Sequence, residues 1–185
     1  MKTILKNIAG IQTGLFAKTV AEGDIVYLQA KHFDEQGHLV QALHPDLTTS
    51  TSNNKHLLQP GDLLFAAKGN KNFAAVYEIH NQPCIASTSF FVIRLSDSSV
   101  LPEYLAWFLN HSETQKILKA QALGSSMASI SKPVLENLEI LIPSLNDQER
   151  IVTISKLRMK QKELKTRIEI LHEQLVQQLL IKAIK

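Results

Sequence analysis

The residue types that usually carry catalysis are scattered in this sequence. Its seven histidines form no His-x-His or His-x-x-x-His pair, and Cys84 is the single cysteine, so the close ligand spacing of a zinc site is missing. Glu163-Leu164-Lys165 has the Glu-x-Lys form seen in nucleases, but no upstream aspartate is fitted to it, and we interpret it as coincidental. GxGxxG, P-loop and GxSxG motifs are also absent. The sequence therefore predicts a chain that has no catalytic chemistry of its own, no metal and no cofactor.

Polar loops offer a different chemistry, the binding of double-stranded DNA. In Lys68-Gly69-Asn70-Lys71-Asn72 the lysines could contact phosphates, the asparagines could form paired hydrogen bonds with adenine, and glycine lets the backbone approach closely. A run of short hydrogen-bonding side chains upstream ends in Lys55, and residues 124–129 could bring hydroxyls and backbone N–H groups to phosphate. The candidate DNA-binding residues are Lys55, Lys68, Asn70, Lys71 and Asn72, with Ser125 and Ser126 as lesser candidates.

The distribution of charge limits how this chain could bind a nucleic acid. Residues 147–185 carry nine Lys and Arg against five Asp and Glu, whereas residues 1–146 carry eleven against twelve. The part that holds the candidate loops is therefore not a generally basic body, and it would have to bind through local patches. Ordinary solvated loops, and a plain helix-to-strand connector at residues 124–129, are the alternative interpretation.

The elements that would position these loops are short strands followed by helices. Turn residues separate segments with β character at residues 24–30, 63–67, 73–79, 85–95 and 138–142, and an apolar stripe at helical spacing follows Pro102 as far as Gly124. These segments predict an α/β (α+β) fold. We expect a β-rich domain with packed helices over residues 1–145, followed by a long coiled-coil helix over residues 146–185.

The long helix is the clearest prediction. No Gly or Pro interrupts residues 146–184, and a helix of roughly 38 residues is about 57 Å long. Asn146 is the predicted N-cap, with Glu149 completing a capping box. Apolar residues spaced alternately three and four apart form a narrow stripe along this helix, here called the seam, and such a seam predicts a partner helix. Its one polar member, Gln161, would fix the register of the pair. The predicted dimerisation residues are Ile154, Leu157, Gln161, Leu164, Ile168, Leu171 and Leu175.

Composition places the chain among ordinary globular proteins. Hydrophobic residues make up 44% and charged residues 20% of it. No apolar run reaches the 18 residues that a membrane span requires, and the first residues lack the apolar core of a signal peptide. The single cysteine fits a reducing compartment. We therefore expect a cytoplasmic protein without a membrane partner.

An ordered set of short motifs resembles one known family. The set comprises Gly-Asp-Leu-Leu-Phe (61–65), Ala-Ser with an aromatic-rich strand (86–93), Leu-Pro-x-Tyr-Leu-x-x-x-Leu (101–109), a polar Gly-Ser stretch (124–129), Leu-x-x-Leu-x-Ile-x-Ile-Pro-Ser-Leu (135–145) and Asp-Gln-Glu-Arg-Ile (147–151). Each motif is weak alone, but the order is specific. The chain resembles the DNA-specificity (S) subunit of type I restriction–modification enzymes.

The resemblance implies a function and partners. In that family a target recognition domain reads half of a bipartite DNA site, and long helices pair as a coiled coil and dock the methyltransferase (M) subunits. The restriction (R) subunit is a further candidate partner. Full-length members have two recognition domains and two helices, whereas this chain has one of each. It is therefore similar to a half-length S subunit or a fragment. An unpaired seam then implies a two-fold homodimer that reads inverted half-sites.

Other interpretations stay open at this point. The chain could be a helix-mediated protein-interaction module without a DNA role, or a decoy that resembles an S subunit. A nuclease or methyltransferase that lacks familiar motifs is a third alternative. Salt-sensitive binding to duplex DNA separates the first interpretation from the DNA-binding one.

Overall fold

The computed structural model describes residues 1–34, 37–40, 42–48, 54–68, 72–78, 83–122 and 129–184. In these ranges the strands are β1 (Lys2–Ile4), β2 (Ala9–Thr13), β3 (Val26–Leu28), β4 (Leu63–Ala66), β5 (Ala74–Val76), β6 (Cys84–Ala86), β7 (Phe90–Leu95) and β8 (Glu139–Leu141). The α-helices are α1 (Pro102–Asn110), α2 (Ser112–Ala120), α3 (Lys132–Glu136) and α4 (Leu145–Ala183). Short 3-10 helices occupy Leu5–Asn7, Ala30–His32 and Asn54–His56.

Strand pairing organises the domain around one antiparallel sheet. Its order is β2-β7-β4-β5. β1 pairs antiparallel with β8, and β3 pairs parallel with β6. Together with the helices these sheets confirm the predicted α+β class, a β-rich domain followed by a long helix.

The central strand β4 is buried on both faces, which its continuous Leu-Leu-Phe-Ala sequence favours. Leu63 and Phe65 belong to the core cluster that includes residues of α1, α2 and α3. Leu64 and Ala66 belong to a second cluster on the other face, since successive side chains of a strand alternate. In that second cluster the Phe73 and Phe90 rings meet edge to face at 6.0 Å.

A buried ion pair joins the turn before β4 to strand β7. Gly61 adopts φ of 86°, which favours glycine, and the turn places Asp62 at 1% exposure. Arg94 donates from Nε and Nη2 to the two Asp62 carboxylate oxygens at 2.7 and 2.6 Å, and the Gln59 backbone N–H also donates to this carboxylate, at 2.8 Å. The hydrogen bond to Asp62 raises the pKa of Arg94.

Several element boundaries differ from those predicted. The segment predicted as one strand over residues 85–95 is two strands, because the Phe90 N–H donates to the Ser87 carbonyl at 3.0 Å and closes a turn between them. The helical stripe after Pro102 is two helices, because α1 ends at Asn110 and His111 starts α2 as its N-cap. Strands β1 and β2 were not predicted.

Helix α4 begins earlier than predicted. Ser144, and not Asn146, is the N-cap, and its Oγ accepts a hydrogen bond from the Asp147 backbone N–H at 3.3 Å. Asn146 lies inside the first turn. From Lys156 to Ile184 every residue except Val176 is exposed. None of the helices in the described ranges is both long enough and apolar enough to cross a membrane.

Candidate nucleic-acid interface and assembly helix

Two polar segments that are far apart in sequence adjoin at their ends. Lys68 forms an antiparallel bridge with Ser129, and the Ile130 N–H donates to the Ala67 carbonyl at 2.9 Å. Lys68, at the start of one candidate segment, and Ser129, at the end of the other, are therefore neighbours. Both segments had been singled out as candidates for DNA binding. Asn70, Lys71, Ser125 and Ser126 lie outside the described residues.

Asn72 closes the base of the loop. Its Nδ2 donates to the Ala66 carbonyl at 2.8 Å, so one amide hydrogen is used within the domain. The neighbouring strand β5 is held at its edge by Asn110, whose side chain accepts from the Ala74 N–H at 2.7 Å and donates to the Ala74 carbonyl at 2.8 Å. The loop therefore starts and ends on hydrogen-bonded backbone.

The two described candidate lysines point to solvent. Lys55 lies in the 3-10 helix Asn54–His56, and both it and Lys68 are exposed. In the part of the chain that the structure describes, neither lysine forms an ion pair with a carboxylate. Their charges are thus available to an external anion. Leu57, after Lys55, bridges Ile85, so Lys55 is anchored to β6 and not to the Lys68–Ser129 junction.

A crevice of about 630 Å³ lies between the domain and α4. It is mixed in charge; its polar lining includes Asn72, Asn110, Lys119, Lys156, Glu78 and Glu103. The crevice brings Asn72, at the base of the candidate DNA-binding loop, close to Lys156 of the long helix. Among the described ranges, no group of three or more His, Cys, Asp or Glu residues is placed to hold a metal ion.

Gln148 fixes the long helix to the domain. The side chain is fully buried. Its Oε1 accepts from the Leu101 N–H at 2.9 Å, and its Nε2 donates to the carbonyls of Ser99 at 2.8 Å and Pro143 at 3.1 Å. The bonds to Leu101 and Ser99 tie the first turn of α4 to the loop before α1, so they set the direction in which the helix leaves the domain.

The predicted seam of α4 faces no other part of the described chain. Its apolar members are 49–66% exposed; they are Ile154, Leu157, Leu164, Ile168, Leu171 and Leu175, and Gln161 is also exposed. Val152 and Ile151 pack against the domain core from the opposite part of the helix. A surface of this kind fits a second helix.

The chain can be placed in a family. The family model described as the type I restriction modification DNA specificity domain matches residues 15–172. The chain belongs to this family. No curated protein matches the sequence.

Solved structures show that the fold is that of type I specificity subunits. The similar structures include the HsdS subunit of Thermoanaerobacter tengcongensis, with 18% identity and a TM-score of 0.60 over 87% of this chain and 37% of that one. The type I S subunit of M. genitalium has 17% identity and a TM-score of 0.61 over 92% and 42%. A structure on complex assembly and conformational transition of the type I R-M system has 18% identity and a TM-score of 0.63 over 87% and 38%. The chain spans about two fifths of the length of these relatives.

Sequence reasoning on this specificity domain missed Gln148 and the Asp62–Arg94 pair. A signal existed for Gln148, since it lies one turn before Ile151 and Val152 on the side of α4 that packs on the domain. A polar residue on such a side needs buried hydrogen-bond partners. For Asp62 the turn sequence placed the residue, but its partner Arg94 is 32 positions away and no local pattern connects them.

Proposed function

We propose that this chain is a DNA-binding specificity subunit of a type I methylation and restriction complex. Residues 1–145 form the target recognition domain, and residues 146–185 form the helix that pairs with a second copy and docks the M subunit. The chain contributes no catalysis, and methylation and cleavage belong to its partner subunits. The single observation that supports the DNA-binding role is the bridge that joins Ser129 to the exposed Lys68, at the described ends of the two candidate segments.

Neutralising Lys68 is expected to weaken binding to duplex DNA of any sequence. Each phosphate contact contributes about 0.9 to the slope of log affinity against log salt. Lys68→Gln should therefore reduce the magnitude of that slope by about 0.9 per chain, measured by fluorescence anisotropy over a salt series.

The matched control is Lys2→Gln, because Lys2 lies on β1 and is ion-paired with Glu139 at 2.6 Å. This variant should keep the slope of the wild type. An unchanged slope in Lys68→Gln would overturn the assignment of this surface to DNA. Salt-insensitive binding, or none, in the wild type would favour the protein-interaction or decoy interpretation instead. Cleavage or methylation of DNA by the purified chain would contradict the non-catalytic role.

We propose that two copies pair through α4 in antiparallel orientation. Antiparallel helices place the two recognition domains at opposite ends, as reading of inverted half-sites requires, and their dipoles attract each other. The exposed seam supports this pairing. In one register Ile154 faces the partner's Leu171, Leu157 faces the partner's Ile168, and Gln161 faces the partner's Leu164.

Leu164→Lys is expected to weaken this dimer by a factor of about 100 or more. Each buried leucine contributes about 1.5–3 kcal/mol, and two-fold symmetry removes two of them at once. Sedimentation equilibrium gives the dissociation constant. The control Thr166→Lys adds the same charge on the other side of the exposed helix and should change the constant only a few-fold. A wild-type monomer at micromolar concentration, or equal effects of both variants, would contradict the seam.

A further inference from the structure

The middle of α4 carries an excess of cations that the chain itself does not neutralise. Residues 154–168 contain six Lys and Arg and a single carboxylate, Glu163. Glu163 is bonded to Lys160 at 2.8 Å. All six cations are exposed, and the other five form no ion pair with the described residues.

These cations form two stripes, one on each flank of the seam. Lys156, Lys160 and Arg167 recur at intervals of four and seven residues, so they share one side of the helix. Arg158, Lys162 and Lys165 share another side for the same reason. In the heptad repeat of a coiled coil, the e and g positions flank the seam and normally carry charges of both signs, which form ion pairs between helices. The two stripes include these flanking positions. Here both flanks carry an excess of cations, and the single carboxylate, Glu163, lies on the flank of Lys160 and Arg167.

Pairing two copies concentrates this charge. In an antiparallel two-fold pair, the same flank of each helix lies on the same face of the pair. Lys160 then lies beside the partner's Arg167. Cations then face cations on both faces of the pair, which is unfavourable at low salt. Such a surface is stabilised by an external polyanion, because the anion removes the repulsion and its counterions are released.

One of the two stripes continues the candidate DNA-binding surface. Lys156 shares the crevice of about 630 Å³ with Asn72 and Lys119, and Lys156, Lys160 and Arg167 line the next groove along the helix. The carboxylates on these walls are Glu78, Glu103 and Asp34 from the domain and Glu163 from α4, which is bonded to Lys160. The stripe of Arg158, Lys162 and Lys165 has no such continuity, apart from Lys162 at the edge of the second groove.

We propose that Lys156, Lys160 and Arg167 of both copies bind the phosphates of the DNA segment between the two half-sites. The proposal rests on the proposed function, since it requires the antiparallel pair and a duplex that reaches both domains. From Lys156 to Arg167 the helix rises about 16 Å, which is the length of about five base pairs. The contact is independent of sequence, and it links DNA binding to pairing of the helices.

The experiment compares two triple variants that remove the same charge from opposite flanks of the seam. One is Lys156→Gln, Lys160→Gln and Arg167→Gln, and the other is Arg158→Gln, Lys162→Gln and Lys165→Gln. The probe is a random-sequence duplex of about 30 base pairs, roughly 100 Å long at 3.4 Å per base pair. Salt slopes come from fluorescence anisotropy, and sedimentation gives the dimer dissociation constant in parallel.

The first triple variant should reduce the magnitude of the salt slope by up to about 5 per dimer, because six phosphate contacts are removed at about 0.9 each. The second triple variant should reduce the magnitude of the salt slope by about 1 or less, through the general loss of positive charge. Both should tighten the dimer at low salt, since both remove repulsion beside the seam.

Equal losses of slope in the two variants would overturn the proposal and indicate diffuse attraction only. A larger loss in the second variant would also overturn it and place the DNA on the other face. If neither variant changes DNA binding, the stripe faces an acidic protein partner or water, and the proposal is wrong.

These failures differ from failure of the proposed function. A wild-type chain that binds duplex DNA in a Lys68-dependent way, with an unaltered slope in both triple variants, would reject the phosphate stripe alone. A wild-type chain that does not bind DNA, or whose affinity is independent of salt, would reject the DNA-binding role itself.

Discussion

Replacing Gln148 by leucine is expected to lower the free energy of unfolding by about 3 kcal/mol or more. The substitution removes three hydrogen bonds at once and leaves the Leu101 N–H and the carbonyls of Ser99 and Pro143 without that partner. An unsatisfied buried polar group costs about 1–3 kcal/mol. Chemical denaturation followed by circular dichroism measures the change.

Gln174→Leu is the matched control, because Gln174 lies on the same helix and is exposed. It should leave the free energy of unfolding within about 0.5 kcal/mol of the wild type. Equal stability of the two variants would mean that the Gln148 bonds do not hold the helix to the domain. Because Gln148 sets the direction of α4, its loss should also weaken DNA binding by the dimer more than it weakens dimerisation.

Asp62→Ala is expected to destabilise the domain by about 1.5–3 kcal/mol, because the hydrogen bonds to a buried carboxylate are lost while the partly exposed Arg94 guanidinium gains hydration. The carboxylate is almost fully buried, and it receives hydrogen bonds from Arg94 and from the Gln59 backbone. Its loss leaves the guanidinium and the Gln59 N–H without their shared acceptor. Urea denaturation gives the change in free energy.

A double-mutant cycle with Arg94→Ala tests whether the effect belongs to the pair. The double variant should cost less than the sum of the single variants, with a coupling energy of about 1–3 kcal/mol. Glu113→Ala serves as a comparison, since it breaks the exposed pair with Lys116, and it should leave the unfolding midpoint unchanged. Additive single effects at Asp62 and Arg94 would contradict the structural role of this pair.

The long helix was predictable because its signal is local. Apolar residues at 3–4 spacing in a long run without Gly or Pro favour a helix from local sequence alone, and the seam residues lie in α4 as predicted. The N-cap was misplaced because Ser144 and Asn146 both have suitable side chains. Extended backbone at Ser144, with φ of −61° and ψ of 152°, decided between them, and it follows from the preceding strand and proline.

Strands β1 and β2 could not be predicted, because their partners are distant in sequence. β1 has three residues and pairs with β8, and β2 pairs with β7. A segment of three residues shows no periodicity. The turn at Ser87 inside a continuous β-forming run was also hidden, since it is stabilised by nonlocal contacts such as the Ser87 N–H donating to the Leu28 carbonyl at 2.8 Å.

The candidate DNA-binding residues were predicted from chemistry alone, and the sequence could not tell which of them adjoin. Lys68 and Ser129 are about 60 positions apart, and only the fold makes them neighbours. The order of the motifs identified the family, because members of a family share the same succession of strands and helices along the chain. The contacts that unite the elements, including those of Gln148, depend on packing between segments and have no local signature.

The pairing of β1 with β8 governs the order of events during synthesis. The register joins Lys2 to Leu141, so the first strand has no partner until nearly the whole domain has left the ribosome. At about 5–20 residues per second this delay is on the order of ten seconds. Closing so long a loop costs entropy and slows folding. The seam of α4 is made directly after β8, so the surface through which the proposed dimer would form emerges only when the domain is able to close.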